Sequence, residues 1–85
     1  MRLLKFSAEW CGPCKMLSAT IAAIEDKPQL LADMTDLDVD SDPEVAMRYG
    51  VRGVPTLLLL DDDGNVIKRS TGALSRDKLL EFIYK

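Results

Sequence analysis

Trp10-Cys11-Gly12-Pro13-Cys14 holds the only two cysteines of the chain. Two thiols with two residues between them can close into a small disulfide ring and open again, which is redox chemistry. A hydrophobic run, Leu3 to Phe6, precedes the pair and a helix-forming run follows it. At the start of a helix the first sulfur gains thiolate character from the helix dipole and the free backbone N–H groups. Two blander readings compete, half of a zinc site and an inert disulfide. A structural zinc takes four ligands, and the chain has no histidine and no third cysteine. A cysteine-only site would therefore need a second subunit. A permanent disulfide suits an exported protein.

The aspartates invite a calcium reading. Asp36, Asp38, Asp40 and Asp42 alternate, as do Asp61 and Asp63 before Gly64. Neither run completes a calcium loop: Ser41 sits where glycine belongs in the first, and Leu59 where the first ligand belongs in the second. A solvated strand face and a hairpin turn explain them better, so no metal site is expected.

The elements that must position the cysteines follow from periodicity. With 85 residues, 47% of them apolar, the chain can build one small domain, residues 1–85, around one core. Arg2 to Ser7 reads as a strand and Ala8 to Trp10 as a short loop. A helix starts near Cys11, with Leu17, Ile21 and Ile24 as its apolar stripe. Pro28 ends it, and Leu30 and Leu31 serve as anchors on the way to the next strand. Met34 to Val39 alternates as a second strand. Ser41 and Glu44 have capping-box spacing and Pro43 suits a first turn, so a short helix runs from there to near Tyr49, with Gly50 as its left-handed end.

Leu57-Leu58-Leu59-Leu60 is a continuous apolar run of strand length, which implies cover on both faces. Asp61 to Asn65 turns the chain, with Gly64 at a positive φ, and Val66 to Thr71 returns as a polar edge strand. Ser75 caps a last helix carrying Leu79, Leu80 and Ile83 on one side. The predicted order is β-α-β-α-β-β-α, an α/β fold whose first β-α-β is a right-handed parallel unit. Gly50, Gly53 and Gly64 read as backbone punctuation.

Net charge is −3 with scattered basic residues, which argues against nucleic acid as a partner. Met1 to Lys5 has a signal-like look, but its apolar run is short and Lys5 and Glu9 interrupt it. No stretch is long enough to span a membrane. A cytoplasmic location is expected, where a cysteine pair is more often catalytic or metal-binding than structural. No oligomerisation signal is visible, and a monomer is expected.

Three blocks carry a family resemblance: Ala8-Glu9-Trp10-Cys11-Gly12-Pro13-Cys14-Lys15-Met16, then Tyr49-Gly50-Val51-Arg52-Gly53-Val54-Pro55-Thr56-Leu57, then Gly72-Ala73-Leu74-Ser75. In this order they resemble the thioredoxin family. The resemblance implies a thioredoxin-like fold with a four-stranded mixed sheet flanked by three helices, without the family's opening strand and helix. It implies a thiol–disulfide oxidoreductase with Cys11 as attacking and Cys14 as resolving cysteine, their disulfide being the only redox group and no cofactor being needed. Val54–Pro55 matches the family's cis peptide. Trp10, Gly12, Pro13, Val39, Gly53, Val54, Gly72 and Ala73 match the surface that receives protein substrates. The implied partners are a thioredoxin reductase or similar electron donor and disulfide-containing proteins, ribonucleotide reductase among them.

The chain departs from the family inside that pattern. Ser7 stands for a tryptophan and Ala19 for the proline that kinks the active-site helix. Lys5 stands where the family has a buried aspartate, and Asp36 where it has the facing lysine, so the pair is exchanged. A partly buried Lys5–Asp36 ion pair beneath the disulfide is expected, since each charge needs the other or water. In that position Asp36 would take the Cys14 proton and Lys5 would favour thiolate; alternatively the pair only keeps the core neutral.

Three other functions fit the same residues, one of them a dedicated oxidant or isomerase, against which the Gly12-Pro13 insert favours a reductant. A glutaredoxin would use glutathione, but the insert is Gly12-Pro13 and the late segment is Thr71-Gly72-Ala73; Lys15 and Arg52 are the available cations for its carboxylates. A non-catalytic binding subunit would use the same apolar surface without the thiols.

Overall fold

The computed structural model describes residues 1–84. In chain order it comprises β1 (Arg2–Ser7), α1 (Gly12–Ala22), α2 (Gln29–Ala32), β2 (Thr35–Asp38), α3 (Pro43–Arg48), β3 (Thr56–Leu60), β4 (Val66–Thr71) and α4 (Arg76–Tyr84). The strands form one sheet in the order β2-β1-β3-β4. β1 pairs with β2 in parallel and with β3 antiparallel, and β3 pairs antiparallel with β4.

Register decides what each face of the sheet carries. Leu3 lies opposite Leu59 and Leu4 opposite Leu58, so alternate side chains of β1 and β3 point to opposite faces. Leu3, Leu57 and Leu59 pack with Leu17 and Ile21 of α1, with Ile24 just beyond its end, and with Leu79 of α4. Leu4, Phe6, Leu58 and Leu60 pack with Ala46 of α3 on the other face. Every residue of β3 is buried, as expected of a strand covered on both sides. β4 forms the sheet edge and alternates exposed with half-buried residues over most of its length.

The structure departs from expectation at four places. α1 ends at Ala22 with Ala23 as its C-cap, so Ile24 lies beyond the helix and Pro28 is not what ends it. A fourth helix, the single turn α2, occupies the stretch around Leu30 and Leu31. The Pro28 carbonyl accepts from the N–H groups of Leu31 and Ala32, both at 3.0 Å, and Leu31 is 2% exposed. One turn is too short for helical periodicity to show. The second strand is shorter than Met34–Val39, although the Val39 N–H still donates to the Ser7 carbonyl (3.0 Å). The capping box does not form: α3 takes Asp42 as its N-cap, without a side-chain hydrogen bond. Asp38 Oδ1 instead accepts from the N–H groups of Asp40 and Ser41, which holds Ser41 in the preceding turn.

Other terminators match expectation. Gly50 and Gly64 have φ of 66° and 87°, and Ser75 Oγ accepts from the Lys78 N–H at the start of α4. α1 runs as one helix through Ala19. Among the described residues no helix is long and apolar enough to cross a membrane.

Leu58 has no solvent exposure, so Leu58→Ala should cost about 2–5 kcal/mol in denaturant unfolding; a loss well below 1 kcal/mol would mean that the core collapses around the deletion. The hairpin turn supplies a pH-dependent element. Asp61 Oδ1 accepts from the N–H groups of Asn65 and Asp63, each at 2.9 Å. The Asn65 N–H foremost, with that of Asp63, holds the Asp61 carboxyl below its usual value. A carboxyl lowered by folding contributes stability that is complete above its unfolded value of about 3.9 and fades as pH falls through the lower folded value. Asp61→Asn should therefore flatten the acid limb of a Tm-against-pH profile, and superimposable profiles would refute this.

Candidate active site

Cys11 is the N-cap of α1. Its backbone is extended, φ −92° and ψ 108°, and its sulfur accepts the Cys14 N–H at 3.1 Å. Thus a sulfur takes the place that a serine or aspartate oxygen usually holds at a helix start. Pro13 sits in the first turn, where its missing N–H leaves no intrahelical bond unmade. The Cys11 N–H donates to the Ala8 carbonyl (3.2 Å), which ties the loop after β1 to the helix. The helix start and the N–H at the sulfur favour negative charge there, and no acidic residue in the first turn opposes it.

Cys11 and Cys14 are joined as a disulfide, with Cα atoms 5.2 Å apart. They are 4% and 2% exposed and form a small cluster with Ala8, flanked by Val39 and Val54. Gly12 and Pro13 are exposed over them. Cys11 Sγ lies 3.6 Å from the Val54 carbonyl oxygen. The Val54–Pro55 peptide is cis, Pro55 is buried, and its carbonyl accepts the Gly72 N–H at 2.8 Å. Gly72 adopts φ 103°, a region that strains any residue with a Cβ. Gly53 lies in the bend before β3, with no positive φ and ordinary space where a Cβ would stand. Thr56 Oγ1 donates to the Gly53 carbonyl (2.6 Å).

Trp10 is 70% exposed, and its indole Nε1–H donates to Asp40 Oδ2 at 2.8 Å. With Val39, Val51, Arg52, Gly53 and Val54 it lines a shallow cavity of about 150 Å³. Four of the expected substrate-facing residues, Trp10, Val39, Gly53 and Val54, therefore meet at one cavity. Gly72 lies behind it against Pro55, and Ala73 is exposed outside its lining. Sequence reasoning missed Asp40 as the partner of Trp10 and Val51 as a wall. The separation of thirty positions between Trp10 and Asp40 left no local signal.

Lys5 and Asp36 lie opposite each other in the β1–β2 register and form an ion pair of 3.2 Å. The pair is lopsided: the Lys5 side chain is 7% exposed and that of Asp36 63%. Lys5 Nζ also donates to Ser18 Oγ on α1 (2.6 Å), a partner not foreseen. Asp36 thus faces Lys5 and solvent. Among the described residues no group of three or more histidine, cysteine, aspartate or glutamate side chains is placed to hold a metal ion.

This arrangement can do dithiol–disulfide chemistry, and the comparisons with known proteins agree. The family model for thioredoxin matches residues 1–85. The chain is 40% identical over 81 residues to a thioredoxin of Pseudomonas aeruginosa, covering 95% of this chain and 74% of that protein. It is 37% identical over 83 residues to a thioredoxin of Bacillus subtilis, covering 98% and 79%. Among solved structures, a mutant thioredoxin from Halobacterium salinarum superposes with a TM-score of 0.82 at 37% identity, covering 95% of this chain and 69% of that one. A thioredoxin from Nicotiana alata gives 0.81 at 40% identity, covering 95% and 68%. A cysteine pair capping its own helix and these matches along nearly the whole chain lead to one assignment: the chain belongs to the thioredoxin family and is a thiol–disulfide oxidoreductase.

Proposed function

We propose that this chain is a general protein-disulfide reductase of the cytoplasm, working as a monomeric single domain. The observation that supports this most is the helix-capping sulfur of Cys11. As a thiolate, that sulfur attacks one sulfur of a substrate disulfide. A Cys11–substrate bond forms, the substrate S–S bond breaks, and the departing substrate sulfur carries off the electron pair. Cys14, having lost its proton, then attacks Cys11 Sγ. The internal disulfide forms and the second substrate sulfur leaves reduced. A thioredoxin reductase or similar donor returns two electrons to the Cys11–Cys14 bond. Ribonucleotide reductase is among the clients we propose.

The remaining candidates take supporting roles in this reading. Trp10, Val39, Gly53 and Val54 offer an apolar seat to the polypeptide on either side of the substrate cysteine. Asp40 holds the indole in place. Gly12 and Pro13 keep the loop short enough for the two sulfurs to meet. Pro55 closes the floor beside Cys11, Gly72 supports Pro55 from behind, and Ala73 extends the surface outside the cavity. The low exposure of Cys11 fits attack on a disulfide presented in line with the surface rather than on any passing thiol.

Three variants test the reading. Cys11→Ser should reduce the rate of protein-disulfide reduction to background, and Cys14→Ser should accumulate a mixed disulfide visible by mass. A Cys11 variant with full activity would end the proposal. Trp10→Ala should raise KM for a protein substrate about tenfold with little change in kcat, the usual weight of a tryptophan anchor. For the electron donor, turnover with a thioredoxin reductase and not with glutathione is expected. The reverse preference would favour the glutaredoxin reading, and full cellular function in a double Cys→Ser protein the binding-subunit one.

A further inference from the structure

Lys5 is the one charged side chain in the core among the described residues. In the sheet it lies between Leu57 of β3 and Asp36 of β2. The residues that face its ammonium with polar groups are Ser18 on α1, at 2.6 Å, and Asp36, at 3.2 Å. Ser18 follows Cys14 by four residues, so the two stand on one face of α1, one turn apart. A charge fixed on Ser18 Oγ is therefore held about one helical pitch, roughly 5.4 Å along the axis, from Cys14.

The two members of the ion pair do not cancel at that point. Asp36 is largely in water, which screens its charge, whereas the Lys5 side chain is 7% exposed and its ammonium ends on Ser18, an exposed residue of the redox helix. The field that Cys14 feels is that of the cation. Lys15 and Arg52, the other cations near the site, are exposed and screened in the same way.

Resting on the thiol–disulfide reading, we propose that Lys5 is a positioning charge that sets the redox poise of the Cys11–Cys14 couple and makes it more oxidising than the same site without it. The balance with glutathione shows why. Two glutathione thiols supply two electrons and become one glutathione disulfide. The Cys11–Cys14 bond breaks, and the two protons pass to the protein sulfurs or to solvent. Every sulfur left as thiolate is stabilised by a nearby cation, while the neutral disulfide is not. The same charge lowers the cost of deprotonating Cys14 in the resolving step.

The test equilibrates the intact protein and its variants with glutathione redox buffers and counts free thiols by alkylation and mass. Lys5→Met should shift the equilibrium about tenfold toward the disulfide, which is about 30 mV lower for a two-electron couple. Lys5→Arg, which keeps the charge, should stay near the native equilibrium. Asp36→Asn removes the carboxylate that partly offsets the ammonium and should shift it the opposite way. A merely structural ion pair predicts no such opposition. Unchanged equilibria in Lys5→Met and Asp36→Asn, or shifts of the same sign, would overturn the proposal. Should Lys5→Met not fold, the sign of the Asp36→Asn shift, at a solvent-exposed side chain, decides alone. The couple can be measured whatever the substrate, so failure of the native protein to reduce protein disulfides would sink the reductase reading without touching this one.

Discussion

One hydrogen bond organises the site: the Cys14 N–H donating to the Cys11 sulfur. It caps α1, fixes the distance between the cysteines, and directs a backbone dipole at the atom that must carry negative charge. Structure and reactivity therefore rest on the same contact. An oxygen cap in its place would preserve the helix and abolish the chemistry. The bond also requires the loop after β1 to arrive correctly, and that is secured by the Cys11 N–H on the Ala8 carbonyl.

The strand that delivers this loop lies inside the sheet, between β2 and β3. From that position its two faces serve different purposes. Leu4 and Phe6 anchor it against the α3 side, and Leu3 against the α1 side. Lys5 shares the α1 face with Leu3 and places a cation under the helix that carries the cysteines. The cost of burying this charge is limited because one partner reaches water and the other is a hydroxyl at the end of its reach.

Much of this was legible in the residues, and the parts that were not share a cause. Leu57–Leu60 announced a doubly covered strand because burial on both faces leaves no alternation. The cysteine spacing and the helix after it announced the site. By contrast, α2 is a single turn whose hydrogen bonds come from Pro28, which periodicity does not register. Ser41 looked like a cap, yet Asp38 competes for that turn through its own carboxylate. Asp40 and Ser18 find their partners only when strand and helix are brought together. The exchange of Lys5 and Asp36 was visible as a pair, but its asymmetry depends on β2 being a sheet edge, which only the strand order reveals.

The tether between Trp10 and Asp40 has an optical consequence. Trp10 is the only tryptophan of the chain, it stands beside Cys11, and it is mostly in solvent while its Nε1–H is held. Its emission therefore reports on the sulfurs, the carboxylate and whatever lies over the cavity, and hardly on the core. Unfolding takes Asp40 away from the indole, so the signal marks the loss of the site rather than of the core. Intrinsic fluorescence of this protein is a lamp at the reaction centre, and loss of the core itself is followed by a probe of the backbone.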